Sequence, residues 1–299
     1  MSLIQNSSST AQIQAEFDEL IKDIRPELHR YCARMVGSVI DGEDIVQDTL
    51  TKGYHALPRL TSTDNLRSWL FRIAHNKAID HMRRGSQTEV ELLDEYPLAA
   101  EPDLPLEKKE LTAVALSVFL QLTPKQRSCV ILKDVMGYSL LEISELLDVS
   151  IPTIKAALHR GRSRLRELSK YVRTDTPSPM DEHKRTLLTH YVDRFNARDF
   201  DTLRTMLANE VRLDLIDRAT LQGVAEVSNY FHRYEQQLDW HLGLGLVEGH
   251  PAILVYDPHE GSSQPAYFML ITWDDTQVSL IRDYRYARYV MQDAEIAAL

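Results

Sequence analysis

The sequence predicts a multidomain protein: two all-α helical modules, the second with a helix-turn-helix, followed by an α+β domain. Residues 14–84 and 108–171 have helical periodicity and contain no alternating run typical of a strand. The segment TDTPSPMDE at 174–182 is rich in proline and polar residues, as linkers are. Beyond it, one helical stretch precedes strand-like runs such as VRLDLI, AILVY and AYFMLITW. This order of elements indicates an α+β domain over 181–299.

The length and composition of the chain are typical of a protein that has no membrane-spanning segment. The 299 residues are enough for two or three domains. No apolar run approaches about 18 residues, so we expect no membrane span. The first residues lack the basic flank and apolar core of a signal peptide. Cys32 and Cys129 both lie in apolar helical patterns, so we expect buried thiols in a reducing cytoplasm, with no disulfide and no metal site.

The distribution of charge along the chain is compatible with a nucleic-acid partner. The net charge is −10 overall, but it divides into −2 for residues 1–175 and −8 for residues 176–299. Within the first part, the stretch 155–173 holds seven basic residues against Glu167 alone. A local basic stripe can contact phosphates even on a near-neutral module, because charges act over only about 10 Å in salt.

The first helical module, 14–84, is interrupted at Gly37, at Asp41-Gly42, at Pro58 and at 61–64. A linker over 85–107 follows it. Most of that linker, 88–107, contains three prolines and seven acidic residues but no Lys or Arg. This composition predicts an acidic, solvated connection between the two helical modules.

The second module, 108–171, carries the most informative signals. Thr123 and Gln126 form a predicted capping box with a proline between them, and Ser139 and Glu142 repeat the box at the next helix. That helix is short, and Asp148-Val149-Ser150 forms a tight turn before a longer helix from about 151. Short helix, three-residue turn and longer helix are the pattern of a helix-turn-helix.

The longer helix has one apolar and one polar side when projected at about 100° per residue. Lys155, Ala156, His159, Arg162 and Arg166 fall on the polar side. Small and polar residues near its start suit the reading of base edges, and basic residues further along suit phosphate contact. An ordinary solvated basic face is the alternative, and the turn geometry disfavours it.

These residues resemble a known family. LTPKQRSCVILKDVMGYSLLEISELLDVSIPTIKAALHRGRSRLRE is similar to region 4 of extracytoplasmic function sigma factors, which binds the −35 promoter element. The resemblance implies that the helix from 151 is the recognition helix. Asp148 stands where the family usually has glycine, and we expect a small loss of stability there, because Asp tolerates the left-handed conformation.

The first module resembles region 2 of the same family. DGEDIVQDTLTKGYHALPRL at 41–60 is similar to the helix that docks on core RNA polymerase. Asp41, Glu43, Asp44 and Asp48 form a predicted acidic surface, which is partly apolar because of Ile45, Val46 and Leu50. The resemblance implies that Asp44, Gln47 and Asp48 meet basic residues of the polymerase. A second interpretation, compatible with the first, is that these carboxylates favour the dipole at the start of their own helix.

RSWLFRIAHNKAIDHMRR at 67–84 resembles the helix that melts and holds the −10 promoter element. In projection, Arg72, Asn76 and Arg83 lie opposite the apolar residues, so we expect them to contact promoter DNA. The resemblance places Asn76 against a flipped base, which an amide can bind as both donor and acceptor. It also assigns the segment 59–65 to the pocket for that base. Trp69 is expected in the core.

Residues 181–299 resemble the SnoaL-like fold of the nuclear-transport-factor-like superfamily. That fold is a cone in which a curved mixed sheet wraps around helices and leaves a pocket, so the resemblance allows a small-molecule ligand as a further partner and leaves open whether the tail binds one. No pair of acid and base residues is forced together by spacing, and alternation in VRLDLI turns Asp214 away from the apolar face. Candidates by residue type alone are Asp214, Asp217, His190, His241, Tyr267 and Tyr284.

Two functions are compatible with these features. The first is an RNA polymerase sigma factor that binds core polymerase and promoter DNA at −10 and −35. Its C-terminal domain regulates it in cis, and it has no catalytic residues, cofactor or metal of its own. The alternative is an isomerase- or cyclase-type enzyme domain fused to a helix-turn-helix regulator. A plain regulator needs no polymerase-docking helix, and the tail shows no convincing acid and base pair, so we favour the first.

Overall fold

The computed structural model describes residues 2–59, 65–85, 116–169, 181–235, 240–260 and 264–299. The predicted linker 172–180, nearly all of the linker 85–107 and most of the segment 59–65 lie outside the described residues. The chain divides into two compact units, Met1–Thr174 and Asp175–Leu299, which are described separately.

The described part of the first unit is built from helices and turns. In chain order these are α1 (Ser2–Val36), α2 (Val39–Ala56), α3 (Leu66–Gly85), α4 (Leu116–Phe119), α5 (Pro124–Val130), α6 (Leu140–Leu147) and α7 (Ile151–Ser169). Helix α5 continues directly into a π-helical turn, Ile131–Val135. The predicted all-α character of both modules is confirmed for these residues.

The corner between α1 and α2 follows from local sequence. Gly37 has φ +80°, a conformation open to glycine without strain. Ser38 then caps α2, with its hydroxyl accepting from Asp41 N at 3.1 Å. Gly42 lets the two helices approach, since a Cβ there would lie 2.7 Å from the Ala33 backbone. The breaks predicted at Gly37 and at 41–42 therefore correspond to one turn and one helix contact.

In its described residues, the second unit combines three α-helices with one sheet. The helices are α8 (Glu182–Asn196), α9 (Phe200–Thr205) and α10 (Gly223–Glu235). The strands are β1 (Leu207–Leu215), β2 (Ala219–Gln222), β3 (His241–Val247), β4 (His250–Tyr256), β5 (Tyr267–Asp274), β6 (Gln277–Asp283) and β7 (Ile296–Ala298). They form a sheet in the order β2-β1-β6-β5-β4-β3-β7. Only the pair β1–β6 is parallel among the described strands, so the sheet is mixed.

Helices and sheet of the second unit share one core. Val211, Leu213 and Leu215 of β1 are buried, as the alternation of VRLDLI predicts. They pack in the same cluster as Tyr191 of α8 and Phe231 of α10. A mixed sheet that encloses helices in this way confirms the predicted α+β class of the tail.

Candidate nucleic-acid interface

The helix-turn-helix forms as its capping residues predict. Ser139 accepts from Glu142 N at 3.2 Å while the Glu142 carboxylate accepts from Ser139 N at 2.7 Å. Asp148 ends α6 in the left-handed conformation, with φ 55° and ψ 48°. Ser150 then caps α7 by accepting from Thr153 N at 3.4 Å. Asp148 therefore takes the place of glycine without loss of the turn, as expected.

Helix α7 divides into an inner and an outer face. The inner face enters the core through Ile154, Ala157, Leu158 and Leu165. Lys155 is exposed, and Ala156, His159 and Arg166 are partly exposed. These four residues remain predicted DNA contacts.

Arg162 does not lie on that outer face, and the prediction that it does is wrong. Its side chain is 6% exposed and forms a bidentate ion pair with Asp134, which is 5% exposed. Arg162 Nε and Nη2 donate to the two carboxylate oxygens at 2.9 and 2.7 Å. The guanidinium thus neutralises a buried carboxylate inside the module.

The close contact of α7 with α5 explains this placement. A Cβ on Gly161 would lie 2.7 Å from Val130 Cγ2, so glycine lets the two helices approach here. Arg162 follows Gly161 directly and is drawn into the same contact, where the π-helical turn after α5 presents Asp134. A projection of α7 alone treats any charged residue as outward, because it contains no information about Asp134.

Helix α3 presents its predicted DNA-facing residues to solvent. Arg72, Asn76 and Arg83 are all exposed, whereas Leu70 and Ala74 are fully buried. Arg72 also donates to the carbonyl oxygen of Glu145 on α6 at 3.0 Å. DNA contact by the three exposed residues remains a prediction.

Two basic residues of α3 face the helix α2 that precedes it. Lys77 Nζ lies 2.8 Å from an Asp48 carboxylate oxygen, and His81 Nε2 lies 3.6 Å from Asp41. In sequence projection Lys77 and His81 fall on the apolar side of α3. Their positions next to carboxylates of α2 explain why polar residues occupy that side.

Helix α2 exposes Asp44, Gln47 and Asp48, the three residues predicted to meet the polymerase. Glu43, which the sequence places on the same acidic surface, is instead buried and lies 2.5 Å from Arg25 of α1. Arg25 also donates to the Gln47 amide oxygen at 3.0 Å. The exposed acidic surface is therefore smaller than expected and excludes Glu43.

The apolar residues of α2 are also placed differently from the prediction. Ile45, Val46 and Leu50 are buried in the core of the first unit, although we expected them to contribute to the docking surface. All three belong to a hydrophobic cluster that also contains residues of α1. The exposed face of α2 is consequently polar.

The tail candidates named from residue type do not assemble into one site. Asp214 pairs with Arg212 at 2.7 Å and accepts from Thr220 at 3.0 Å. His190 and His241 are exposed. Tyr284 is buried and stacks on Phe268, and Asp217 lies in a turn with φ 67°.

Tyr267 belongs to a buried cluster that sequence reasoning missed. Asp283 is fully buried and accepts from Tyr230 Oη at 2.5 Å and from Arg285 N at 2.8 Å. Tyr230 Oη lies 3.1 Å from Tyr234 Oη, which lies 3.0 Å from Tyr267 Oη. A carboxyl and three hydroxyls therefore form one hydrogen-bonded chain inside an otherwise apolar core.

Burial dominates the electrostatics of this cluster. It raises the pKa of Asp283 to about 6, although the bonds from Tyr230 and Arg285 act in the opposite direction. Burial also raises the pKa of the Tyr230, Tyr234 and Tyr267 hydroxyls, so all three remain protonated donors.

The alternation of buried residues along β6 is the sequence feature from which the burial of Asp283 could have been predicted. It lies two residues after the buried Ile281 and therefore points to the same face of the sheet. The three tyrosines come from α10 and β5, which the sequence does not bring together.

Within the described ranges, no helix is long and apolar enough to cross a membrane. Among the same residues, no group of three His, Cys, Asp or Glu side chains is placed to hold a metal ion.

Two family models match the first unit. Sigma-70 region 2 matches residues 20–88, and Sigma-70 region 4 matches residues 115–165. The matched segments contain α2 and α3 in the first case and the helix-turn-helix in the second.

Individual sigma factors are similar over longer stretches. ECF RNA polymerase sigma factor SigG of Mycobacterium tuberculosis is 28% identical over 223 residues, which cover 66% of this chain and 60% of SigG. The match thus spans less than two thirds of SigG. ECF RNA polymerase sigma factor SigW of Bacillus subtilis is 31% identical over 166 residues, which cover 52% of this chain and 89% of SigW.

Among solved structures, the extracytoplasmic function sigma factor SigJ of Mycobacterium tuberculosis matches 89% of this chain and 95% of its own, at 20% identity and a TM-score of 0.35. Family membership follows from the region 2 and region 4 models together with the match to nearly all of SigW. The chain belongs to the extracytoplasmic function family of RNA polymerase sigma factors.

Proposed function

We propose that this chain directs promoter-specific initiation of transcription as a subunit of RNA polymerase. The observation that carries the proposal is the joint presence of an exposed acidic face on α2, an exposed polar face on α3 and a helix-turn-helix. Its partners are core polymerase and promoter DNA, so it acts in the bacterial cytoplasm. The chain needs no catalytic residue of its own for this role.

Each helix has a defined part in the proposal. Asp44, Gln47 and Asp48 of α2 bind the polymerase. Arg72, Asn76 and Arg83 of α3 hold the −10 element, and the exposed start of α7 reads the −35 element. Lys155, Ala156 and His159 suit base edges there, and Arg166 suits a phosphate one to two turns further along.

The tail, residues 181–299, regulates the first unit in cis under this proposal. A domain of net charge −8 is tethered to a basic helix by the short linker 172–180, and a short tether keeps the local concentration near the millimolar range. Weak contacts persist at such concentrations. A small molecule bound by the tail would act by favouring one arrangement over another.

The buried Asp283 cluster is the observation that bears on the alternative, an isomerase- or cyclase-type enzyme. Such an enzyme needs a base that reaches a substrate. The Asp283 carboxyl is fully enclosed, and both of its oxygens already accept hydrogen bonds. We therefore interpret the cluster as part of the core of the tail.

Charge reversal on α2 tests the polymerase contact. We expect Asp44→Lys with Asp48→Lys to weaken binding to core polymerase at least about tenfold, because each reversal replaces an attraction by a repulsion. Anisotropy titration of labelled full-length chain with core polymerase measures this. The matched control is Glu19→Lys with Asp201→Lys, two exposed carboxylates outside α2. Equal affinity of the α2 variant and the wild type would rule out the proposed docking face.

A further inference from the structure

The parallel strands β1 and β6 of the tail end side by side and bring two turns together. Leu215 at the end of β1 is paired with Asp283 at the end of β6, and Ile216 N donates to the Asp283 carbonyl oxygen at 2.9 Å. Because the two strands run in the same direction, the segments that follow them leave the sheet at the same end. Arg218 lies in the first of these segments and Tyr286 in the second.

The turn after β6 is held in place by the buried Asp283. One of its carboxyl oxygens accepts from Arg285 N at 2.8 Å, and Ala287 N donates to the carbonyl oxygen of Tyr284 at 2.9 Å. An aspartate that accepts from the backbone two residues further on stabilises such a turn. Arg285 and Tyr286 are therefore presented in a defined backbone conformation at this end of the sheet.

Aromatic rings surround the Arg285 guanidinium. Its central carbon lies 4.5 Å from the centroid of the Trp240 ring, 5.4 Å from that of Tyr234 and 6.0 Å from that of Tyr286. Trp240 is itself fixed, since Arg198 donates to its carbonyl oxygen at 2.8 Å. Aromatic faces attract a guanidinium at such distances. Arg285 is thus a partly buried cation that is held by rings.

Tyr286 lies beside a second cation. The guanidinium carbon of Arg218 lies 5.7 Å from the centroid of the Tyr286 ring. The side chain of Arg218 is exposed, and Tyr286 is 42% exposed. Two guanidinium groups from different turns therefore lie next to one solvent-accessible aromatic ring.

Neither of these two cations forms an ion pair with a carboxylate in the described part of the second unit. Other arginines of the same unit do have a carboxylate partner, namely Arg194, Arg204, Arg212 and Arg288. The tail has a net charge of −8, so carboxylates are abundant in it. Aromatic faces attract the charge of Arg285 but offer no carboxylate oxygen to its N–H donors. Arg218 and Arg285 can therefore bind an anion from outside the chain.

The surroundings of the two cations indicate the class of anion. A guanidinium binds a carboxylate through two parallel N–H donors, and the face of Tyr286 can stack on a planar group. A single-stranded nucleic acid uses similar contacts, but it stacks successive bases on several rings. Of the described aromatic residues of the tail, only Tyr286 has more than a third of its surface exposed. The net charge of the tail also repels a polyanion, so a small anion fits better.

We infer that Arg218, Arg285 and Tyr286 form a binding site in the tail for a small planar organic anion of the aromatic carboxylate type. The two arginines hold the charged group, and the tyrosine stacks on the planar body. The inference deepens the proposed function, on which it rests for the role of the tail as a regulatory domain that responds to a ligand. Binding itself requires neither polymerase nor promoter.

Isothermal titration calorimetry of the full chain tests the site with two probes of nearly the same shape, 2-naphthoate and its neutral amide, 2-naphthamide. We expect 2-naphthoate to bind at one site with a Kd of about 0.1–1 mM, as its size allows. The amide should bind at least about tenfold more weakly, because it lacks the charge that the guanidinium groups recognise.

Substitution by methionine removes each charge and keeps an unbranched apolar side chain. We expect Arg285→Met to weaken binding of 2-naphthoate about tenfold and Arg218→Met about threefold or more, since each loses a charge-assisted contact. Arg218 is exposed, so its replacement leaves the fold intact even if that of Arg285 does not. The matched control is Arg212→Met, which removes the same charge from an exposed pair with Asp214 on β1 and should change the affinity less than about twofold.

Three results would overturn the site. They are equal affinity for the two probes, wild-type affinity for 2-naphthoate in both Arg285→Met and Arg218→Met, and no saturable heat with about 10 mM 2-naphthoate, roughly ten times the weakest Kd expected. Binding of an oligothymidylate that Arg285→Met abolishes, without binding of 2-naphthoate, would also overturn it and assign these residues to single-stranded DNA. All these results would leave the sigma function intact. Run-off transcription that does not depend on the chain would instead contradict that function and leave the anion site standing.

Discussion

Replacement of Arg162 by alanine is expected to lower the free energy of unfolding of the first unit by about 3–5 kcal/mol. Arg162 and Asp134 are both nearly fully buried and are joined by two hydrogen bonds. Without the guanidinium, Asp134 would be an uncompensated charge in the core. Urea unfolding of the variant, followed by the helical signal in circular dichroism, measures the change.

Two further variants make this test specific. Arg164→Ala removes a neighbouring cation whose pair with Glu167 is largely exposed, so we expect a loss of less than about 1 kcal/mol. Joint replacement of Arg162 by methionine and Asp134 by leucine should recover most of the stability, because no charge then remains unpaired. If Arg162→Ala weakened DNA binding but left the unfolding curve unchanged, the outward placement predicted from sequence would be correct after all.

Stability of the tail is expected to fall as pH rises, and Asp283→Asn is expected to remove this dependence. Burial raises the folded-state pKa of Asp283 from 3.8 to about 6. The protonated form is therefore the one that the fold favours, and its contribution is complete below pH 3.8 and lost as pH rises through about 6. Between about pH 4.5 and about pH 7.5 this group alone should reduce stability by about 2 kcal/mol.

Hydrogen exchange of the α10 and β6 amides in the full chain, corrected for the intrinsic effect of pH on exchange, reports on this region. The amide introduced by Asp283→Asn resembles the neutral acid. The corrected exchange rates of this variant should therefore be the same at the two pH values. Asp201→Asn, at a carboxylate that is 96% exposed, should keep the wild-type dependence. A wild-type slope of the opposite sign would mean that Asp283 is ionised and stabilising in the folded tail.

Local signals in the sequence were sufficient where neighbours in the chain decide the structure. The capping boxes at Thr123 and Ser139 and the left-handed turn at Asp148 depend on residues three or four positions apart, and each appears as predicted. Burial of alternate residues in β1 follows from strand geometry alone. These local features were enough to predict the fold class of both units.

Features that depend on distant residues could not be predicted. The inward position of Arg162 requires Asp134, which lies 28 residues earlier, and the burial of Glu43 requires Arg25 on another helix. Asp283 meets tyrosines from α10 and β5 only once the sheet has formed. In each case an ionisable residue is buried beside a partner from a distant part of the chain, and helical projection or alternation contains no information about that partner.

Run-off transcription tests whether the chain is a promoter-specific sigma factor. Purified core polymerase would transcribe a pool of linear templates with randomised −35 and −10 blocks, with the full-length chain, with a chain ending at Thr174, or without either. In-cis regulation by the tail predicts different transcript yields from the two chain lengths. The sigma function predicts transcripts that depend on the chain and are enriched for particular sequences in both blocks. Transcript levels equal to those of core polymerase alone, when an unrelated sigma factor activates the same core preparation, would contradict it.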